Sequence, residues 1–496
     1  MLPVHFVGRA PELEKLRNFQ QSPKSQIAVV YGRRRIGKSL LLTQALQGCA
    51  ALFFEGLENR PKKQQLQHFM FQLRLQTGDA GSNEPPGTPG SWKEAFLELF
   101  KAMEGRTVPI VFDEFQWMAN YRHEIVADLK YVWDKFFAPL PAQKLILCGS
   151  IVSFLIEKVI KSSALFGRVN TEMELGPFKL AETAELLAGK GLDEILEAQM
   201  LTGGIPQYLQ LLTEYPSIQL ALQDLAFTPQ GYFTHEYQRI FTGHFGKNPD
   251  FEAIVQALAR HPLGLHREAL IEEAHLTPGG QLTSHLRDLA SAGFINAATP
   301  FDKGEHSRHV KYMLVDAYLR FYFSFIKPDL KKIRSGQSLH LFAALSQTGH
   351  FHAWMGRSFE YLCLQHTNII SRILGFSGVD FTAGPYFSPT HKGRAGVQVD
   401  LVFNRADHVL TVCEMKYSRK PVGIEVITEM EKRISLLEPI AGRRTLQRVL
   451  IVRDKVSQQL ARSGYFYRII EARELLETNA TTAALARLTA ARQDPE

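Results

Sequence analysis

Short, continuously apolar runs alternate with amphipathic segments through the first third of the chain. The runs that we expect to form strands lie at 27–31, 51–54, 108–112 and 145–148. Strands that are apolar along their whole length are buried on both faces, which is typical of a parallel sheet covered by helices. The pattern therefore predicts an α/β domain at 1–176, with helices on both faces of the sheet.

The middle of the chain has helical periodicity. Residues 177–243 are helical in pattern, with a break at Gly203-Gly204-Ile205-Pro206. Residues 244–316 follow with three short helical segments and a hairpin, which lie at about 251–260, 267–274, 280–292 and 294–315. That order of elements predicts a winged helix-turn-helix.

Beyond residue 316 the pattern changes twice. An aromatic and basic connector at 317–350 is followed by a segment that begins with a helix and continues with strand-like runs near 397–403, 409–416 and 447–453. We therefore expect a second α/β domain at 351–478, which makes the whole chain an α/β multidomain protein. The Ala/Thr-rich tail at 479–496 is predicted to be flexible, because chain ends of this composition fray.

The composition agrees with a chain of several globular domains and indicates the cellular compartment. Of 496 residues, 22% are charged and 45% hydrophobic, which excludes bulk disorder and predicts three or four domains. No signal-peptide pattern and no long apolar stretch is visible, so we expect a cytoplasmic protein without a membrane span. The four cysteines form no C-x-x-C pair, so reduced, mostly buried thiols are expected.

One segment carries a phosphate-binding pattern. It fits G-x-x-x-x-G-K-[ST] between an apolar strand and a Leu-rich helix, and consists of Gly32, Arg33, Arg34, Arg35, Ile36, Gly37, Lys38 and Ser39. Backbone N–H groups of such a loop wrap phosphates at a helix N-terminus. Lys38 would meet the β- and γ-phosphate charge, and Ser39 would place its hydroxyl on Mg²⁺, so the pattern predicts ATP and Mg²⁺ as cofactors.

Polar residues follow two other predicted strands. Asp113 and Glu114 come directly after 108–112, where a side chain faces the ligand crevice of a parallel sheet. Asp113 would hold Mg²⁺, directly or through water, and Glu114 would activate the attacking water. Ser150 follows the next strand and could touch the γ-phosphate or that water. Arg168 is either an arginine finger acting on a neighbouring site or a partner in a structural ion pair.

The order of these motifs resembles the archaeal-type P-loop ATPases of the AAA+/STAND group, which carry a winged helix and a C-terminal nuclease-like domain. The resemblance covers 1–478 and rests on Phe6-Val7-Gly8-Arg9, the P-loop, Asp113-Glu114-Phe115-Gln116, Gly149-Ser150, Gly167-Arg168 and Gly203-Gly204-Ile205-Pro206. It implies an AAA-like three-layer core, with 177–243 as a helical lid that contains Pro206. It also implies that Gly8 and Arg9 lie near the adenine, although Ala10 stands where the family often has Glu.

A second set of polar residues lies in the C-terminal strands. Asp400, Glu414 and Lys416 resemble the D…E-x-K pattern of restriction-endonuclease-like PD-(D/E)xK nucleases. If the strands form a hairpin with loop 404–408, Asp400 lies opposite Val412, and all three polar side chains share one face. Asp400 and Glu414 would then be diagonal neighbours, about 7 Å apart at Cβ. Two carboxylates on Mg²⁺ would activate water, and Lys416 would orient it.

The resemblance to these nucleases implies a further ligand. In the family the opening helix of the domain carries an acid that completes the metal site, and Glu360 occupies that place here. The proline of the family name is replaced by Val399. Two interpretations stay open, namely a domain that cleaves DNA and a nuclease fold that binds nucleic acid or partners without cutting.

The distribution of charge indicates where nucleic acid would bind. The net charge of +7 is concentrated toward the C-terminus, since 244–316 is −2, 317–350 is +4 and 351–478 is +5. A domain that binds duplex DNA strongly should carry more positive charge than 244–316 does. Two roles therefore stay open for the predicted winged helix, namely DNA binding and a hinge between domains. We expect DNA to contact 317–478.

Together these features predict an ATP-hydrolysing, Mg²⁺-dependent P-loop ATPase coupled to a metal-dependent DNA nuclease, acting in DNA processing or genome defence. A homo-oligomer is compatible with this function. Two alternatives remain open. One is a nucleotide-gated regulatory switch whose nuclease fold does not cut, and the other is a DNA-binding adaptor that works through the winged helix.

Overall fold

The computed structural model describes residues 6–78, 89–245, 248–301, 303, 310–388 and 397–476. The chain divides into two compact units, the first formed by 1–177 with 287–292 and the second by 178–286 with 293–496. The division falls one residue beyond the predicted end of the first domain at 176, and the predicted domain boundaries stay predictions. The predicted tail at 479–496 lies outside the described residues.

The centre of the first unit is a five-stranded parallel sheet, as the apolar runs predict. Its strands are β1 (Gln26–Tyr31), β2 (Leu52–Glu55), β3 (Ile110–Asp113), β4 (Lys144–Gly149) and β5 (Val169–Glu174), in the spatial order β2-β3-β4-β1-β5. The carboxyl ends of β2, β3 and β4 therefore meet along one edge of this sheet. That edge carries the acidic residues discussed below.

Helices occupy the connections between these strands. They are α1 (Ala10–Gln21), α2 (Lys38–Ala45), α3 (Lys62–Thr77), α4 (Trp92–Ala102), α5 (Phe115–Met118), α6 (Glu124–Val132) and α7 (Val152–Phe154), with π-helical turns at Trp133–Phe137 and Leu155–Ile160. The rings of Phe54, Phe69, Phe96 and Phe112 pack within 4.4–6.0 Å of one another at their centroids, and they join β2 and β3 to α3 and α4. This aromatic cluster supports the strand that ends in Asp113.

The second unit begins with helices, in agreement with the periodicity of 177–243. They are α8 (Leu180–Leu186), α9 (Leu192–Thr202), α10 (Pro206–Thr213), α11 (Ile218–Phe227) and α12 (Tyr232–Phe245). Between α9 and α10 the chain turns at Gly204, where a Cβ atom would lie 2.3 Å from the carbonyl oxygen of Phe178. Only glycine allows this close approach. The predicted domain boundary at 243 falls inside α12.

The next elements follow the predicted order of three helices and a hairpin. They are α13 (Pro249–Arg260), β6 (Leu265–His266), α14 (Arg267–Glu273), α15 (Gly280–Ser291), β7 (Ile295–Ala298) and β8 (Lys311–Leu314). The strands form an antiparallel sheet in the order β6-β8-β7. The identity of this segment as a winged helix stays a prediction, and the basic residues Arg308 and His309 of the expected wing lie outside the described residues.

The predicted connector is helical and packed rather than extended. It contains α16 (Ala317–Phe321), a π-helical turn (Tyr322–Ile326), α17 (Leu330–Arg334) and α18 (Leu341–Leu345). The rings of Phe321 and Phe325 lie 5.8 and 5.6 Å from that of Trp354, at their centroids. These aromatic contacts join the connector to the helix that opens the next segment.

The last segment contains a mixed five-stranded sheet. Its elements are α19 (Gly349–Gln365), α20 (Thr367–Ile373), β9 (Phe381–Ser388), β10 (Val397–Arg405), β11 (Val409–Lys416), α21 (Glu425–Ala441), β12 (Thr445–Val452), α22 (Gln458–Arg462), β13 (Arg468–Glu471) and a 3-10 helix (Ala472–Leu476). The strand order is β13-β12-β11-β10-β9, with β11 to β13 parallel and β9 to β11 antiparallel. The runs predicted for β10, β11 and β12 are confirmed, whereas β9 and β13 were not predicted.

The predicted register of the β10–β11 hairpin was wrong by two residues. Phe403 pairs with Thr411 rather than Val409, because β10 continues to Arg405 and the connecting loop contains only 406–408. Continued by one pair, this register places Asp400 directly opposite Glu414, not diagonal to it. A shift of two residues keeps the same side chains on the same face, so the predicted grouping survives.

Two expectations about compartment can be compared with the structure. Within the described ranges, no helix has the length and apolarity needed to cross a membrane. All four cysteines are free thiols, and Cys148, Cys363 and Cys413 are buried whereas Cys49 is exposed. Three of the four cysteines are thus buried, as predicted, and the reduced state of the thiols stays a prediction.

The aromatic cluster gives a stability prediction. Phe112→Ala should destabilise the first unit by about 3–5 kcal/mol, because the ring is buried between strands and helices and its removal leaves a cavity. Phe71→Ala provides a matched control, since this ring is 57% exposed on α3, and it should change stability by less than about 0.5 kcal/mol. Thermal unfolding of both variants tests the difference, and equal midpoints would contradict it.

Candidate functional site

The P-loop, residues 32–39, joins β1 to α2 and is tightly folded. A Cβ atom on Gly32 would lie 2.3 Å from the carbonyl oxygen of Leu175, and Gly37 has a φ of 88°, so both positions require glycine. Lys38 begins α2 and is only 6% exposed. Its Nζ donates to the carbonyl oxygens of Gly32 at 2.9 Å and Arg33 at 3.0 Å. The ammonium group is therefore held at the centre of the loop.

The remaining loop residues are also positioned by contacts. The guanidinium of Arg34 lies 3.3 Å from a carboxylate oxygen of Glu58 and 4.8 Å from the ring centroid of Trp117. Arg35 has a φ of 72°, in the left-handed region. The carbonyl of Ile36 accepts a hydrogen bond from outside the loop, from Arg9.

Arg9 connects the N-terminal box to the P-loop. It is 4% exposed, and its guanidinium donates to the carbonyl oxygens of Ile36 at 3.2 Å and Gly176 at 2.7 Å. Gly8 and Arg9 both have positive φ values, 69° and 59°, which turn the chain just before α1. The structure thus assigns Arg9 a contact with the loop backbone, while its proximity to adenine stays a prediction.

The predicted metal-binding pair lies together. Ser39 Oγ donates to Asp113 Oδ2 at 2.5 Å, and the other carboxylate oxygen, Oδ1, accepts from the backbone N–H of Glu114 at 2.8 Å. A hydroxyl and a carboxylate beside a phosphate-binding loop are oxygen ligands of the kind that Mg²⁺ takes. The residues present therefore fit a Mg²⁺–nucleotide complex.

Glu114 is held in a defined orientation by two buried donors. Its Oε2 accepts from Ser150 Oγ at 2.8 Å and also from Gln116 Nε2. Gln116 Nε2 lies within hydrogen-bond distance of Ser150 as well, at 3.2 Å. Ser150 and Gln116 are 1% and 0% exposed. Ser150, predicted to sense the γ-phosphate, thus also positions the carboxylate predicted to activate water.

Glu55 is an additional acidic residue at this edge that the sequence-based prediction missed. It ends β2 and pairs with Asp113 in the parallel register. Burial raises the pKa of Glu55, and the charges of Asp113 and Glu114 raise it further. The predicted strand 51–54 ended one residue too early. An acid directly after an apolar run was the signal that could have identified Glu55.

Two other residues predicted to belong to the nucleotide site are Arg168 and Pro206. Arg168 pairs with a different acid, and Pro206 lies in the second unit. Arg168 donates to both carboxylate oxygens of Asp134, at 2.7 and 2.9 Å, and these bonds lower the pKa of Asp134. This geometry is the structural ion pair that was one of the two alternatives, and a role as an arginine finger stays a prediction. Pro206 begins α10 in the second unit, and its relation to the nucleotide also stays a prediction.

The C-terminal acidic residues form a network with cations. Glu414 is 1% exposed and pairs with Arg433 of α21, whose guanidinium also lies 3.9 Å from Asp400. Lys416 Nζ lies 3.1 Å from Glu414 and 2.5 Å from Glu429. The predicted trio of Asp400, Glu414 and Lys416 is therefore brought together, and Arg433 and Glu429 complete the network.

Glu360 of α19 is electrostatically coupled to the same network. Burial and then the charge of Asp400 raise the pKa of Glu360 to about 7, against the lowering effect of nearby arginines. The residue types are those of a Mg²⁺ site. In the part of the chain that the structure describes, however, no three His, Cys, Asp or Glu side chains are grouped as metal ligands. In this structure the carboxylates are arranged as ion-pair partners.

Comparison with known proteins identifies the first part of the chain. Residues 6–212 match a family described as an ATPase domain predominantly from Archaea. This region therefore matches an archaeal-type ATPase domain, and the predicted P-loop lies within the matched residues. An uncharacterized protein of Methanocaldococcus jannaschii is 26% identical over 339 residues, which cover 67% of this chain and 71% of that protein.

Solved structures with a similar arrangement have low sequence identity. A Walker-type ATPase of Pyrococcus abyssi is 21% identical, with a TM-score of 0.48 over 64% of this chain and 96% of that one. The ORC2 protein of Aeropyrum pernix, solved in ADPNP–ADP complexes, is 17% identical, with a TM-score of 0.40 over 67% of this chain and 96% of that one.

The contacts of Glu114 give a prediction for one glycine. A Cβ atom on Gly149 would lie 2.2 Å from Gln116 Oε1, so Gly149→Ala must displace the amide that holds Glu114. We expect ATP hydrolysis to fall by about 10-fold or more while nucleotide affinity changes little, because the displaced group orients the predicted general base, Glu114, and not the phosphates. Gly191→Ala is the control, since its Cβ would meet no atom within 4 Å. A loss of nucleotide binding in Gly149→Ala would contradict this assignment.

Proposed function

We propose that the protein is a Mg²⁺-dependent ATP hydrolase. The observation that carries the proposal is the orientation of Glu114 by Ser150 and Gln116, directly after the strand whose last residue, Asp113, bonds to Ser39 of the P-loop. A site that only binds nucleotide has no need of an oriented carboxylate at this place, whereas hydrolysis requires a base for the attacking water.

Each residue has a distinct role in this proposal. Lys38 exchanges its two carbonyl acceptors for phosphate oxygens when the nucleotide binds. Ser39 and Asp113 hold Mg²⁺, which when bound neutralises phosphate charge. Glu114 accepts a proton from the water that attacks the γ-phosphate, and Ser150 and Gln116 keep its Oε2 in position. Arg9 fixes the loop through the carbonyl of Ile36.

The roles of Lys38 and Glu114 should separate in binding and turnover. Lys38→Ala should abolish ATP binding and hydrolysis together, because it removes the buried cation of the loop. Glu114→Gln should retain ATP binding and lose about 100-fold or more in turnover, since an amide cannot accept the proton. Binding by fluorescent nucleotide and phosphate release, each with and without DNA, measure both quantities. Hydrolysis by wild type no faster than by Lys38→Ala would overturn the proposal.

We also propose that the ATPase acts on DNA through the C-terminal part of the chain, 317–478, which has an excess of basic residues. Asp400, Glu414 and Lys416 lie together, and Glu360 is coupled to Asp400, which supports metal-dependent cleavage in the manner of PD-(D/E)xK nucleases. Assembly as a homo-oligomer, with a winged helix at 244–316, remains part of this proposal.

One observation favours the alternative of a nuclease fold that does not cut. Arg433 contacts both Asp400 and Glu414, so a cation of the protein already neutralises the carboxylates that a metal would require. In that case the carboxylates stabilise the sheet and the C-terminal part binds nucleic acid without cleaving it. An ATP-driven regulatory switch would then be the function of the whole chain.

A pair of variants distinguishes the two functions. If the site cleaves, Glu414→Ala should abolish Mg²⁺-dependent strand breaks across a panel of DNA and RNA substrates while ATP hydrolysis persists. If it is only structural, wild type should show no strand breaks. Arg433→Met should then destabilise the protein by up to about 3–5 kcal/mol, because it removes one of the two cations, Arg433 and Lys416, that lie against the buried Glu414. Equal cleavage by wild type and Glu414→Ala would exclude the nuclease at this site.

A further inference from the structure

A cavity of about 350 Å³ lies in the second unit, beside the carboxyl ends of two parallel strands. The chain that follows β11 lines it with Tyr417, Ser418, Arg419 and Lys420, and the residue that follows β12 lines it with Arg453. Clefts outside the carboxyl ends of parallel strands are common ligand sites. Along a strand, side chains alternate between faces, so Tyr417 points away from the face that carries Glu414 and Lys416. The cavity is therefore separate from the acidic network.

One wall of the cavity is cationic and built to a fixed geometry. Arg453 is only 6% exposed. Its Nε donates to Asp193 Oδ1 at 3.0 Å, and its Nη2 lies 2.5 Å from the same oxygen in an ion pair. The ring of Tyr417 lies 5.0 Å from the same guanidinium. Arg419 and Lys420 add two more cations, of which Arg419 lies 3.9 Å from Glu197. With Glu197 as the single acid among the lining residues, this wall attracts an anion.

Apolar and aromatic side chains also line the cavity. Phe342, Phe351 and Met355 line it, and the rings of Phe342 and Phe351 meet edge to face with centroids 5.8 Å apart. Flat aromatic ligands pack favourably against such rings and against a thioether. A cavity of this size is large enough for one ring system and its substituent.

The hydroxyl of Tyr417 provides a further indication of a ligand. It is buried and has no hydrogen-bond partner among the described residues, although it belongs to a side chain that lines the cavity. Buried hydroxyl groups normally have a partner, because an unmade hydrogen bond costs free energy. A ligand acceptor in the cavity would supply that bond.

We propose that this cavity binds a nucleoside monophosphate unit, with the phosphate on Arg419, Lys420 and the Tyr417 hydroxyl and the base against Phe342 and Phe351. Guanidinium and ammonium groups are the usual partners of phosphate, and aromatic rings the usual partners of bases. The unit is either a free nucleotide or the 5′-terminal nucleotide of a strand. The site is distinct from the P-loop and does not depend on ATP hydrolysis or DNA cleavage.

The experiment measures binding to the full chain carrying Lys38→Ala, which removes the main competing phosphate site. The probes are AMP, adenosine, inorganic phosphate, and a thymidine tetranucleotide with and without a 5′-phosphate, titrated by calorimetry. We expect AMP, the phosphorylated tetranucleotide or both to bind, and adenosine and the unphosphorylated strand to bind at least about 10-fold more weakly, since they lack the charged group. Binding of AMP without the phosphorylated strand identifies a free nucleotide, and the converse identifies a strand end.

Variants locate the binding in this cavity. Tyr417→Phe removes one hydroxyl and should weaken binding about fivefold, and Arg419→Gln with Lys420→Gln should weaken it about 10-fold or more. Arg462→Gln is the matched control, an exposed arginine of α22 that does not line the cavity, and it should bind as the parent does. Thermal unfolding confirms that each variant is folded. Equal binding by all variants, no binding of any probe at millimolar concentration, or inorganic phosphate binding as tightly as AMP would overturn the proposal.

Discussion

The first unit depends on holding several carboxylates close together at one edge of its parallel sheet. Adjacent strands end in Glu55 and Asp113, and Glu114 follows directly, so like charges meet at this edge. Uncharged side chains donate hydrogen bonds to these carboxylates, Ser39 to Asp113 and both Ser150 and Gln116 to Glu114. Such bonds fix the position of a carboxylate without cancelling its charge, and the charge remains available to Mg²⁺ and to a proton.

In the second unit acidic side chains also lie close together, but they are stabilised by cations and not by neutral donors. Asp400 and Glu414 are brought together by neighbouring strands, but Arg433 and Lys416 lie against them. A cation satisfies the carboxylate and at the same time neutralises it, as in other buried ion pairs. The two acidic groups of this chain therefore differ in what they can do. The residues of the first fit a metal–nucleotide complex, whereas cations of the protein already lie against the carboxylates of the second.

The elements that could be predicted from the sequence are those formed by residues close together along the chain. Apolar runs located four of the five strands of the first sheet, but not β5, which is largely polar. The spacing of glycine, lysine and serine located the P-loop. The hairpin register failed by two residues because nothing in 404–408 marks where β10 stops, yet the face of Asp400 was right because side chains alternate strictly. Arg433 gave no local signal at all, since it lies 19 residues beyond Glu414 in sequence and reaches it only through the packing of α21.

Net charge alone is a poor guide to DNA binding by this chain, because cations that pair with acids inside the protein are not available to phosphates. Some of the basic residues in 317–478 make contacts inside the protein. Arg320 is buried against the rings of Trp354 and Tyr361, and burial lowers its pKa to about 10, while Arg453 and Arg433 are paired with acids. Such cations cannot release counterions from a phosphate backbone. The proposed attraction of nucleic acid would therefore come from exposed cations, such as Lys331 and Arg334 of α17, and not from the total count.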